Sequence, residues 1–146
     1  MPRAKLLVDE GSASIEFIAA GVLLLVPMMY LVIALSTVQT AALAVEGASR
    51  HAVRVFVQAS DEARAFARVS RVVEFAKTDA KISQPMTTQV QCSPVPADCF
   101  RTGTRVTVSV STRIPLPYVP NLFGLAHYAT IPVSASSTEI VSKFHA

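Results

Sequence analysis

Gly11-Ser12-Ala13-Ser14-Ile15-Glu16-Phe17 runs directly into Ile18-Ala-Ala-Gly-Val-Leu-Leu-Leu-Val-Pro27-Met-Met-Tyr-Leu-Val-Ile-Ala-Leu35. After Glu16 the next formal charge is Glu46. As a helix, residues 17–35 would extend about 28 Å at ~1.5 Å per residue, close to the hydrocarbon thickness of a bilayer. A single carboxylate, Glu16, therefore stands at the mouth of a membrane-length segment. A charge at the centre of a membrane helix costs roughly 2.5–3.5 kcal/mol, and less near an interface. Everything else in the chain is organised around this stretch.

Upstream, residues 1–11 carry Arg3 and Lys5. A secretory signal has an apolar core of roughly 7–15 residues followed by a small-residue cleavage site. Here the core is longer, and the first good Ala-x-Ala site, Ala42-Leu43-Ala44, lies well beyond it. An uncleaved or N-terminally trimmed anchor is the better reading, with cleavage near Val45 as the alternative. Basic residues alone orient the segment weakly, since Arg50 and Arg54 follow it. The cysteine pair and the Ser/Thr-rich C-terminal half break the tie. They place the N-terminus inside and the bulk of the chain outside. Pro27 lacks an amide hydrogen for the helical ladder, so a kink over residues 23–27 is expected.

Downstream, the chain stays helix-compatible through an Ala-rich stretch, residues 40–52. Val53, Phe56, Val57, Ala63, Phe66, Ala67 and Val73 then recur at three and four, with Asp61, Arg64, Arg68 and Arg71 on the opposite face. One long helix over about residues 14–77 follows, with Ala59-Ser60 as its natural breaking point and Ser60 as the cap of a fresh start. Gln84-Pro85 ends the helical pattern, and the period falls to two. Residues 88–92 form a short strand candidate. Residues 105–114 alternate Val106, Val108, Val110 and Ile114 against Thr107, Ser109, Ser111 and Arg113. Residues 130–141 repeat the pattern with Ile131, Val133, Ala135 and Val141 inward. Such alternation describes antiparallel strands with one buried face, and the apolar side of the second helical stretch is its cover. Between the long strands, Pro115-Leu-Pro117-Tyr118-Val-Pro120-Asn-Leu-Phe-Gly-Leu125 is unusually apolar for a loop. It either folds over the sheet end or marks a subunit or membrane contact.

The 146 residues suffice for an anchor and one small α+β domain. A content of 51% apolar and only 16% charged residues reflects the segment at 17–35. The net charge of +3 is scattered, with no basic cluster interleaved with aromatics, so no nucleic-acid partner is expected. Cys92 and Cys99 lack further ligands at metal spacing, and His51, His127 and His145 are dispersed. A disulfide closing this loop is the simplest account and requires an oxidising compartment; two reduced thiols are the alternative. No nucleophile elbow or triad context appears, so no enzymatic activity and no cofactor are expected.

The N-terminal features resemble the TadE-like family of pseudopilins, the minor pilin-like proteins of tight-adherence (Flp) pilus systems. The resemblance is carried by Gly11-Ser-Ala-Ser-Ile-Glu16-Phe17, the Pro-containing apolar helix, and Ala44-Val-Glu-Gly-Ala-Ser-Arg50-His-Ala52. It covers about residues 10–55. It implies a prepilin-type leader at 1–11, a transmembrane helix at 12–38, a helical extension at 39–83, and a β-rich pilin-like head at 84–146 holding the Cys92–Cys99 loop. It also implies cleavage between Gly11 and Ser12 by a membrane prepilin peptidase. The new amine of Ser12 would then pair with Glu16 of a neighbouring subunit, with Phe17 beside it. Implied partners are that peptidase, other pilin-like subunits, the inner-membrane assembly platform and membrane lipid. The competing reading is a signal-anchored extracytoplasmic binding domain that never enters a filament.

Overall fold

The computed structural model describes residues 12–96, 98–119 and 128–142. The leader at 1–11, loop residues 120–125, His127 and His145 lie outside the described residues. Helices α1 (Ser12–Val57) and α2 (Glu62–Asp79) precede strands β1 (Thr87–Ser93), β2 (Arg105–Pro115) and β3 (Thr130–Ile140). The architecture is α+β, with one long apolar N-terminal helix and a small antiparallel sheet. The chain divides into two compact units, residues 1–35 and residues 36–146.

In the first unit, residues 12–35 belong to α1, which runs through Pro27. Its large apolar side chains point outward on every side, among them Phe17, Leu23, Leu24 and Leu31. An aqueous helix buries at least one apolar stripe; one that is apolar all round needs a non-aqueous surrounding.

In the second unit, a single apolar cluster joins the end of α1 (Val45, Ala48, Ala52, Val53, Phe56), the inner side of α2 (Ala65, Val69, Val73) and one face of the sheet. The sheet has the order β1-β2-β3, antiparallel throughout. Val108 of the central strand stands opposite Val90 on one side and Ser137 on the other. Alternation delivers Val106, Val108, Val110 and Ile114 to the interior, as the sequence pattern predicts. The buried Ser49 hydroxyl ties α1 to β3 through Ser137 Oγ at 2.9 Å. Nearby, Arg54 approaches Glu139 at 3.9 Å, an exposed pair of small energetic weight.

The helical reading needs two corrections. The break falls at 58–61, where Ala59 N–H donates to the Phe56 carbonyl at 3.1 Å and tightens the last turn. Four non-helical residues reset the phase. The buried side of α2 is therefore Ala65, Val69 and Val73, while Ala63, Phe66 and Ala67 of the expected stripe are exposed. The cap of α2 is Asp61 rather than Ser60. Asp61 Oδ1 accepts the Arg64 backbone N–H at 2.8 Å, and the Ser60 hydroxyl donates to Asp61 Oδ2 at 3.2 Å. A carboxylate at a helix N-terminus also meets the positive end of the helix dipole.

The far end of α2 is closed by paired backbone bonds, Lys81 N–H to the Thr78 carbonyl at 3.1 Å and Ile82 N–H to the Lys77 carbonyl at 2.9 Å. This closure requires a left-handed residue, and Lys81 supplies it at φ 53°. Glycine is the usual occupant because a side chain is strained there. Lys81→Gly should raise the unfolding free energy by up to about 1 kcal/mol, read from denaturant titration of the full chain in detergent. The cap makes a second prediction. The Arg64 amide bond, opposed by desolvation and aided by the Ser60 hydroxyl and the Arg64 and Arg68 charges, holds the Asp61 carboxyl below its ordinary range. Its stabilisation is present above the unfolded-state pKa and is lost as pH falls through the lower folded-state value. The Tm advantage of wild type over Asp61→Asn should therefore shrink on acidification through the carboxylate range; a gap constant with pH would refute the charged cap.

Candidate functional site

Sequence reading places the chemistry at Gly11, Ser12, Glu16 and Phe17. Gly11 lies outside the described residues, and Ser12 is the first residue of α1. Glu16 follows one turn later, exposed, with no hydrogen bond or ion pair to any described residue. Phe17 beside it is 80% exposed. A helical turn ending in that carboxylate thus leads into apolar surface that is largely exposed among the described residues. By length and composition, α1 can cross a membrane, as an anchor or as a signal sequence near the N-terminus.

No family model, curated protein or solved structure matches this chain.

Cys92 and Cys99 are joined in a disulfide, with Cα atoms 5.3 Å apart. Cys92 is buried on β1, and Cys99 is half-buried against the core. The next residue, Phe100, stacks on Phe56 with ring centroids 5.4 Å apart and planes 16° apart. The crosslink therefore holds an aromatic side chain on the core as well as closing a loop. The sequence carries no periodic signal for Phe100, because loop residues follow neither the helix nor the strand repeat. Among the described residues, no cluster of three or more His, Cys, Asp or Glu side chains is placed to hold a metal ion.

A second feature was not legible in advance. Leu43, Gly47 and His51 of α1 and Arg71, Phe75 and Asp79 of α2 line a groove of about 660 Å³. Leu43 and Phe75 are 70% and 73% exposed there. Exposed apolar surface of this kind marks contact sites. The floor is small, with Ala44, Gly47 and Ala48.

Removing the crosslink tests its role. The Cys92→Ala/Cys99→Ala variant should lose about 2.5 kcal/mol of unfolding free energy, the loop-entropy estimate for so short a ring. Circular dichroism across a denaturant series measures the loss. Dithiothreitol should lower wild type towards the variant and leave the variant unchanged.

Proposed function

We propose that this chain is a TadE-like minor pilin, a structural subunit that helps assemble a Flp-type pilus after processing by a prepilin peptidase. The observation that carries the reading is Glu16: an exposed, unpaired carboxylate one turn into a helix whose following surface is apolar all round. An ionised group in a low-dielectric setting is costly unless it is paired. Cleavage after Gly11 would create an α-amino group at Ser12, cationic near neutral pH. In a packed array of helices, that amine on one subunit and Glu16 on the next would neutralise each other. The uncovered apolar faces of α1 and the groove at Leu43 and Phe75 would then be buried by neighbours.

In this reading the first unit sits in the cytoplasmic membrane with its N-terminus inside. The pilin-like second unit, with its disulfide, lies on the extracytoplasmic side. The peptidase, other pilin-like subunits and the inner-membrane assembly platform are the partners. The chain's role is structural, without catalysis or cofactor.

N-terminal sequencing of the protein recovered from its envelope is the deciding measurement. Ser12 as first residue supports the pilin reading. Met1 as first residue, with filaments formed normally, overturns it and favours a signal-anchored binding domain; a start near Val45 points to secretion. Glu16→Ala should insert into membrane at wild-type levels and assemble poorly, and its normal incorporation into pili would refute the charge pairing. Gly11→Leu should leave the leader attached.

A further inference from the structure

One corner of the sheet is narrower than the rest. β1 begins at Thr87, opposite Ser111, so the end of β2 pairs only with β3, Arg113 opposite Pro132. The chain before β1 is held at this corner by the buried Thr112 side chain, whose hydroxyl donates to the Pro85 carbonyl at 3.1 Å. A cleft of about 590 Å³ results, with Thr87, Ser111, Arg113 and Ser134 in its lining beside Pro85 and Pro132. That volume is in the range of small-molecule sites.

Its chemistry is specific. Arg113 is exposed and makes no ion pair or hydrogen bond with any described residue. No carboxylate is among the described residues that line the cleft. The hydroxyls beside it are also uncommitted. In the two neighbouring rows of the outer sheet face, opposed side chains satisfy one another, Ser109 with Ser136 at 2.9 Å and Thr107 with Thr138 at 2.8 Å. In the row next to Arg113, Thr87, Ser111 and Ser134 stand in the same register. They make no such bond among the described residues. The corner thus presents a guanidinium fork, three free hydroxyls and two proline rings.

We propose that this corner binds an acidic sugar, a uronate unit of a polysaccharide. A carboxylate matches the guanidinium fork in bidentate fashion. The ring hydroxyls match the Thr87, Ser111 and Ser134 row, and the aliphatic ring face packs on Pro85 and Pro132. A neutral sugar lacks the group that Arg113 selects. A free phosphate satisfies Arg113 but leaves the prolines uncovered. The site belongs to the second unit and stands independently of leader processing, so failure of either proposal leaves the other intact.

The test is calorimetric titration of the full chain in lipid nanodiscs with trigalacturonate, maltotriose and inorganic phosphate. Saturable binding of trigalacturonate without binding of maltotriose is expected. Arg113→Gln should weaken it about tenfold or more, and Arg113→Lys, which keeps the charge and loses the fork, by less. Arg105→Gln, on the same face at the other end of β2, should bind as wild type does. Three results would overturn the proposal. They are absence of trigalacturonate binding, an equal loss in Arg105→Gln, and displacement of the sugar by phosphate at matching concentration, which would mark a plain anion patch.

Discussion

Phe56 has no exposed surface, and three separate pieces of chain close on it. It sits in the last turn of α1. Phe66 of α2 meets its ring edge-on at 5.5 Å, and Phe100 stacks on it at 5.4 Å. Both geometries are favourable for aromatic pairs. Each contact depends on a local device. The four-residue break at 58–61 lets α2 start afresh on the capping carboxylate of Asp61. The Cys92–Cys99 bond holds the loop that ends in Phe100. Val106, Val108 and Val110 supply the sheet side of the same cluster. A unit of this size has little apolar surface to spare, so enclosing one large ring from three directions is an efficient use of it.

The strands were readable almost to the residue, because apolar and polar residues alternate along most of β2 and the first half of β3, and a one-residue slip would turn the valines outward. The first part of α1 was equally plain, since its composition alone dictates its environment. The second helix was harder. Reading residues 53–73 as one continuous repeat puts Ala63, Phe66 and Ala67 inside, whereas a short non-helical break rotates α2 so that Ala65 and Val69 are inside instead. No periodicity rule carries phase across such a break. The stop at Lys81 was invisible for a different reason: the left-handed position is filled by a residue that gives no warning of it. The Ser49–Ser137 bond joins positions far apart in the chain, and polar pairs across a core have no sequence signature. At the candidate site, Glu16 and Phe17 were legible as a charge at the edge of an apolar run. The Leu43 and Phe75 groove needed both helices in place to be seen.

Among the described residues of the first unit, most large apolar side chains lack cover, though Ala34 near its end is buried. Leu, Val, Met and Phe side chains stay exposed around the helix, so the energetics of this part are decided by what surrounds it. Lipid and neighbouring helices both satisfy apolar side chains. Apolar side chains do nothing for an ionised Glu16, which at low dielectric needs a counter-charge, hydrogen-bond donors or a proton. In the proposed array, the carboxylate would distinguish two surroundings that the apolar residues treat alike.

The sheet sorts its chemistry by the same alternation that builds its core. Every second residue of β2 is buried, and those between them, from Thr107 to Arg113, form an outer face of hydroxyls and one guanidinium. Between β2 and β3, two cross-strand hydroxyl bonds, Thr107 with Thr138 and Ser109 with Ser136, consume part of that polarity. In the next row, Thr87, Ser111 and Ser134, no such bond forms among the described residues. Polar groups left without partners beside a concave surface are the condition for ligand selectivity, because a ligand that fills them gains bonds that water must otherwise supply. The row at the start of β1, beside Arg113, is thus the part of the outer face on which the proposed sugar site rests.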